Sequence, residues 1–112
     1  METCSIKFKR LTRKDKIDPK ILKNFKIDGL LIKFSDLHTL EVKCAILVSK
    51  KVFKKAIERN KLKRRIREIA RLECKKFKKG AILIFVALPG IKNDFYFLKE
   101  TIQRLFQKAN LY

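Results

Sequence analysis

Between Lys50 and Lys79 fifteen lysines and arginines meet only three acids, Glu58, Glu68 and Glu73, yet Leu62, Ile66, Ile69 and Ala70 recur through the same window. A segment this basic can join a folded domain only if one face buries while the other holds its charge outward. The 100° turn per residue of an α-helix does that sorting. On a helical wheel the four apolar residues fall together, and Asn60, Arg64, Arg67 and Arg71 line up opposite them. The rest of the chain must therefore supply an apolar surface for one side of this helix and leave the other side open.

Candidates for that surface flank the helix in sequence. Leu30, Ile32 and Phe34 alternate with Leu31, Lys33 and Ser35, the period of a strand, and Ser35 to Thr39 reads as a polar turn into a second strand from about Leu40 to Ser49. The expectation is a hairpin. Ala81 to Leu88 is an apolar run rich in branched residues, short enough to be a buried strand. After Pro89-Gly90, Phe95, Leu98, Ile102, Leu105 and Phe106 form a helical stripe over 95–109. Upstream, Asp18 and Pro19 read as an N-cap and first-turn proline, with Ile21 and Phe25 on one face of a short helix that Asp28-Gly29 ends. The order helix, strand, strand, helix, strand, helix predicts an α+β two-layer sandwich, an about four-stranded sheet packed by helices. The strand ending near Ser49, the basic helix and the strand at Ala81 would form a βαβ unit.

A chain of 112 residues fits one domain, 1–112, with residues 1 to about 17 expected to be less ordered. Although 37% of residues are charged, 46% are hydrophobic, enough to fold around a core. The formal charge of +19 opposes compaction unless a polyanion is near, which points to nucleic acid or an anionic membrane. No apolar run approaches the roughly 18 residues of a membrane helix, and Met1 to Arg10 lacks an apolar signal segment, so the expected location is cytoplasmic. Cys4, Cys44 and Cys74 are odd in number and widely spaced, and read as reduced thiols. His38 stands alone in a predicted turn, and Asp15, Asp18, Asp28, Asp36, Glu41 and Asp94 show no metal-cluster spacing. The expectation is a protein with no catalytic residue and no metal or cofactor bound by motif.

Arginine forks on the polar stripe suit successive phosphates, and lysines add mobile charge. Asn60 adds no charge, but its amide can donate and accept, which suits a sugar hydroxyl or base edge. Glu68, four residues after Arg64 and three before Arg71, is placed to hold both guanidinium groups. On the residues alone, a solvated charged face, a helix for acidic membranes and a ribosomal or other structural RNA-binding protein remain open.

The string Ala56-Ile-Glu-Arg-Asn60-Lys-Leu-Lys-Arg64-Arg-Ile-Arg67-Glu68 resembles the basic-helix signature of the bacterial ribonuclease P protein family. Ser49-Lys50-Lys51-Val52 matches the strand end that leads into that helix, and the likeness runs on through Ala81 to Leu111-Tyr112. Lys61 stands where the family often has Arg, and the longer first helix of the family, with two aromatics a turn apart, would correspond to Ile21 and Phe25. The resemblance implies a left-handed βαβ crossover, although about 98% of such connections are right-handed. It implies binding of the catalytic RNA subunit and of the 5′ leader of precursor tRNA, with Mg2+-dependent cleavage performed by the RNA, and it calls for neither a membrane nor an obligate protein partner. The candidate RNA-binding set is Lys50, Lys51, Lys54, Arg59, Asn60, Lys61, Lys63, Arg64, Arg67 and Arg71, and the candidate leader cleft is Phe25 and Phe34.

Overall fold

Asp28 and Gly29 both take positive φ, 47° and 84°. Two such residues in succession form the tight turn whose twist matches a pair of antiparallel strands. In the computed structural model, which describes residues 7–11, 22–36, 41–77 and 80–109, they join β2 (Lys23–Ile27) to β3 (Leu30–Asp36). Phe25 is thus a strand residue, and the expected helix does not extend over it; the part of that helix before residue 22 lies outside the described residues. A Cβ on Gly29 would stand 3.1 Å from the Cα of Ile91, so close approach as well as φ favours glycine there.

The other elements are β1 (Lys7–Arg10), β4 (Glu41–Leu47), α1 (Ala56–Glu73) followed by a single 3-10 turn at Cys74–Lys76, β5 (Ala81–Ala87) and α2 (Phe95–Lys108). The sheet has five strands, in the order β1-β4-β5-β3-β2. β1 lies within the leading segment expected to be less ordered, and adds a strand to the expected four. The expected hairpin of β3 with β4 is not formed. β5 lies between them, antiparallel to β3 and parallel to β4. The reason is apolar character: Ala81, Ile82, Leu83, Phe85 and Ala87 are all buried, so β5 is hidden on both faces over its first three residues, whereas β3 and β4 alternate buried with partly exposed residues. The most apolar strand takes the centre, where both edges are paired.

β4, α1 and β5 make the expected βαβ unit, with its two parallel strands adjacent. Leu62, Ile66, Ile69 and Ala70 of α1 are 0–1% exposed. They share one core with Val42, Cys44 and Ile46 of β4, Leu83 and Phe85 of β5, and Leu98, Ile102, Leu105 and Phe106 of α2. Phe106 meets Phe77 edge to face at 4.9 Å. α2 begins at Asp94, whose Oδ1 accepts the Tyr96 N–H at 3.0 Å, an N-cap worth about 1 kcal/mol. No side chain caps α1. Instead Arg59 Nη1 donates to the Phe53 and Lys54 carbonyls at 2.9 and 2.8 Å, tying the preceding loop to the first turn. Lower down, buried Glu73 accepts from Gln103 Nε2 at 3.2 Å and faces Lys76 Nζ at 3.3 Å, a polar link between the helices.

Leu62→Ala or Ile66→Ala is expected to lower unfolding free energy by about 2–5 kcal/mol, since each leaves a cavity under α1. Arg64→Ala, on the outer face, should stay within about 0.5 kcal/mol of the parent. Denaturant titration followed by circular dichroism measures both, and equal losses from the two classes would sink the two-face assignment of α1.

Candidate nucleic-acid interface

The polar stripe of α1 stands where helical spacing puts it: Asn60, Lys61, Arg64 and Arg71 are exposed, and Lys63 and Arg67 half-exposed. Lys50, Lys51 and Lys54 are exposed on the loop that enters the helix. Beside the stripe runs a groove of about 520 Å³. Asn60, Lys63, Arg64 and Arg67 form one wall, Cys44, Ala45 and Ile46 lie along the bottom, and Arg10 and Leu11 form the other wall. Arg10 gets there because β1 pairs in parallel with β4, opposite Cys44, and the Leu11 N–H continues the ladder to the Cys44 carbonyl at 2.9 Å. Arg10 was not among the sequence candidates. Its signal, the alternation Lys7-Phe8-Lys9-Arg10, reveals a strand but not its partner.

The floor of the groove carries no charge to oppose an anion. Burial pushes the Cys44 thiol up to about 12, against a smaller downward pull from Arg67, so it stays protonated at neutral pH. Cys44 and Cys74 are not in a disulfide, and Cys74 Sγ donates to the Arg71 carbonyl at 3.1 Å. A second groove, of about 590 Å³, runs along the same helix. It is lined by Lys61, Arg64, Arg65, Arg67, Glu68 and Arg71, with Phe8 and Phe95 as its aromatic members. Arg64 and Arg67 line both grooves.

Three cations on this surface are partly committed. Arg71 makes a bidentate pair with Glu68, Nη2 to Oε2 at 2.6 Å and Nε to Oε1 at 3.1 Å. That hydrogen bond, with the charge behind it, holds the Glu68 carboxyl below its ordinary value and raises Arg71. Both groups are nearly half exposed, so the pair adds little stability. The expected second pair, Glu68 with Arg64, is not made: the fork of Arg71 occupies both carboxylate oxygens. Arg65 Nη1 donates to the backbone oxygen and Oδ1 of Asn93, each at 2.6 Å, pinning α1 to the loop before α2. Arg59 is turned toward its own loop, as described.

The two leader candidates come together at the other side of the molecule. Phe25 and Phe34 stack at 5.5 Å with 22° between planes, on adjacent strands. Phe34 is only 4% exposed, with no open face for a base, whereas Phe25 is half-buried and has Lys108 Nζ at 5.8 Å from its ring centre. Among the described residues no three His, Cys, Asp or Glu side chains are grouped to hold a metal ion, and no helix is long and apolar enough to cross a membrane. Cys4, Asp15, Asp18, Ile21 and His38 lie outside the described residues.

The fold is shared with solved structures. The Staphylococcus aureus RNase P protein superposes with a TM-score of 0.70 at 21% identity, over 83% of this chain and 85% of that one. The RNase P protein from Thermotoga maritima gives 0.65 at 25% identity, over 80% and 84%. In sequence, the chain is 42% identical over 69 residues to the ribonuclease P protein component of Dictyoglomus turgidum, covering 59% of this chain and 57% of that protein. It is 36% identical over 67 residues to the one from Synechococcus sp. (strain JA-2-3B'a(2-13)), covering 59% and 50%. The chain thus spans about half the length of these curated relatives. The family model described as Ribonuclease P matches residues 7–110, nearly the whole length, and with the five-stranded sheet and the basic helix in place the chain belongs to the ribonuclease P protein family.

Proposed function

We propose that this chain is the protein subunit of a ribonuclease P, which binds the catalytic RNA subunit and the 5′ leader of precursor tRNA and so assists endonucleolytic maturation of the tRNA 5′ end in the cytoplasm. The observation that carries the reading is the groove with cations on both walls, Arg10 facing Asn60, Lys63, Arg64 and Arg67 across an uncharged floor. A single RNA backbone entering it meets positive charge from two sides. Each phosphate neutralised releases condensed counterions, a favourable term that weakens as salt rises. Lys50, Lys51 and Lys54 extend the field toward the helix start.

The hydrolysis itself is assigned to the RNA subunit with Mg2+. The protein's part is to reduce repulsion between substrate and RNA phosphates, so that less Mg2+ is needed to bring them together. The leader would meet Phe25, its ring backed by Phe34 and flanked by Lys108, which can reach a phosphate beside a stacked base. The direct test is reconstitution: adding the chain to a bacterial ribonuclease P RNA at low Mg2+ should raise the rate of 5′ leader cleavage. No increase in rate would defeat the proposal.

Arg64→Ala and Arg67→Ala should each weaken binding to the RNA subunit and reduce the slope of log K against log salt by about 0.7–0.9, the share of one phosphate contact, without loss of fold. Filter binding over a salt series reads this. For the leader, Phe25→Ala should weaken binding of leader-bearing precursor tRNA relative to mature tRNA by about 1–3 kcal/mol, measured with holoenzyme assembled on saturating RNA subunit. Phe34→Ala should change the same ratio in the same direction, but with a loss of stability of about 3–5 kcal/mol because its ring is buried. An unchanged ratio for folded Phe25→Ala would place the leader elsewhere.

A further inference from the structure

The first turn of α2 is aromatic, Phe95-Tyr96-Phe97, and Tyr96 is 79% exposed, the most exposed of the large apolar side chains among the described residues. A lone exposed tyrosine needs no explanation. This one is held in place. The Phe95 ring meets it edge to face, 5.7 Å between centres and 87° between planes. Its backbone N–H is fixed by the Asp94 cap at 3.0 Å. Phe95 is half-buried against the core and lines the second groove beside Lys61, Arg64 and Arg65. The Arg65 to Asn93 clamp fixes the loop just before it against α1. Tyr96 therefore stands next to a residue that lines the basic groove, on a capped first turn, with Lys92 Nζ 5.5 Å from the neighbouring Phe97 ring. The nearby acid on α2, Glu100, is paired with Arg104 at 2.6 Å.

We propose that Tyr96 is a stacking platform for an unpaired nucleotide of the RNA subunit, whose adjoining phosphates lie over the cations of α1. Three observations favour RNA and this source. The patch adjoins the strongest positive charge on the molecule, which suits a polyanion. An aromatic ring with an open face takes any base, since every base presents a π-face. Tyr96 and Lys108, the cation beside Phe25, are twelve residues apart on one helix, about 18 Å along its axis. The platform next to the α1 row is thus well separated from the one assigned to the leader. The inference rests on the proposed binding of α1 to the RNA subunit, and extends that contact beyond phosphates to a base.

The experiment compares Tyr96→Ala and Tyr96→Phe with the parent, using the full chain and a bacterial ribonuclease P RNA transcript. Tyr96→Ala should weaken binding about tenfold, while Tyr96→Phe, which keeps the ring, stays near the parent. Because no phosphate contact is removed, the salt slope of Tyr96→Ala should match the parent. Chemical probing of the RNA should show one unpaired nucleotide protected by the parent and by Tyr96→Phe but not by Tyr96→Ala. Melting curves of both variants should match the parent, Tyr96 being outside the core. If Arg64→Ala weakens binding and Tyr96→Ala does not, this inference fails and the proposed function stands. If neither weakens it, the proposed function fails too. A loss seen only when precursor tRNA binds preassembled holoenzyme would assign the platform to the substrate and overturn the proposal.

Discussion

β5 is hydrogen-bonded along both edges, antiparallel to β3 from Leu30 to Asp36 and parallel to β4 from Val42 to Leu47. Every other element takes its place from it. β2 and β1 are outer strands laid on β3 and β4, and α1 is the connection that carries the chain from β4 back to the start of β5. α2 leaves from its far end. The packing of Leu83 and Phe85 against both helices makes the sheet and the helix layer one core. The basic helix can be this basic because its inner face has that core to rest on.

Charge is distributed with the same economy. Four acids among the described residues sit in ion pairs: Glu41 with Lys9 across the β1–β4 edge at 2.8 Å, Glu68 with Arg71, Glu73 with Lys76 and Glu100 with Arg104. Lys9 draws the Glu41 carboxyl below its ordinary value, by hydrogen bond and by charge. Glu68 blunts Arg71 at the far end of the stripe, and no acid lines the groove beside Arg10. With a net charge of +19, the self-repulsion that remains is concentrated where an RNA backbone would remove it.

Much of this was legible in the sequence, because helical periodicity is a local signal. The buried and exposed faces of α1, the apolar stripe of α2 and the strand at Ala81 follow from residues at fixed spacing, whereas the family rests on the likeness of the Ala56 to Glu68 string. Pairing partners are not local. β3 and β4 each alternate correctly, and nothing in their own residues says that a strand about forty residues later separates them. The same blindness hid Arg10, whose value depends on β1 finding β4. Asp28-Gly29 is ambiguous in a different way, since the dipeptide suits both a helix stop and a hairpin turn, and here it makes the hairpin. Phe25 lies on a strand and not on the expected helix, and that strand places it against Phe34.

The order of strands also sets a schedule for synthesis. β3 and β4 are complete by Leu47, but their facing edges have no occupant until Ala81 to Ala87 has been made. Through that interval the nascent chain carries two open strand edges, the kind of template on which chains associate wrongly. It also carries the most basic helix in the protein with no completed core beneath it. The sheet must close over a long sequence separation, a slow step compared with forming a helix. Arg10 and Arg64 can line one groove only after the sheet has closed, so both sides of the basic groove appear late, as a product of completed folding and not of the basic segment alone.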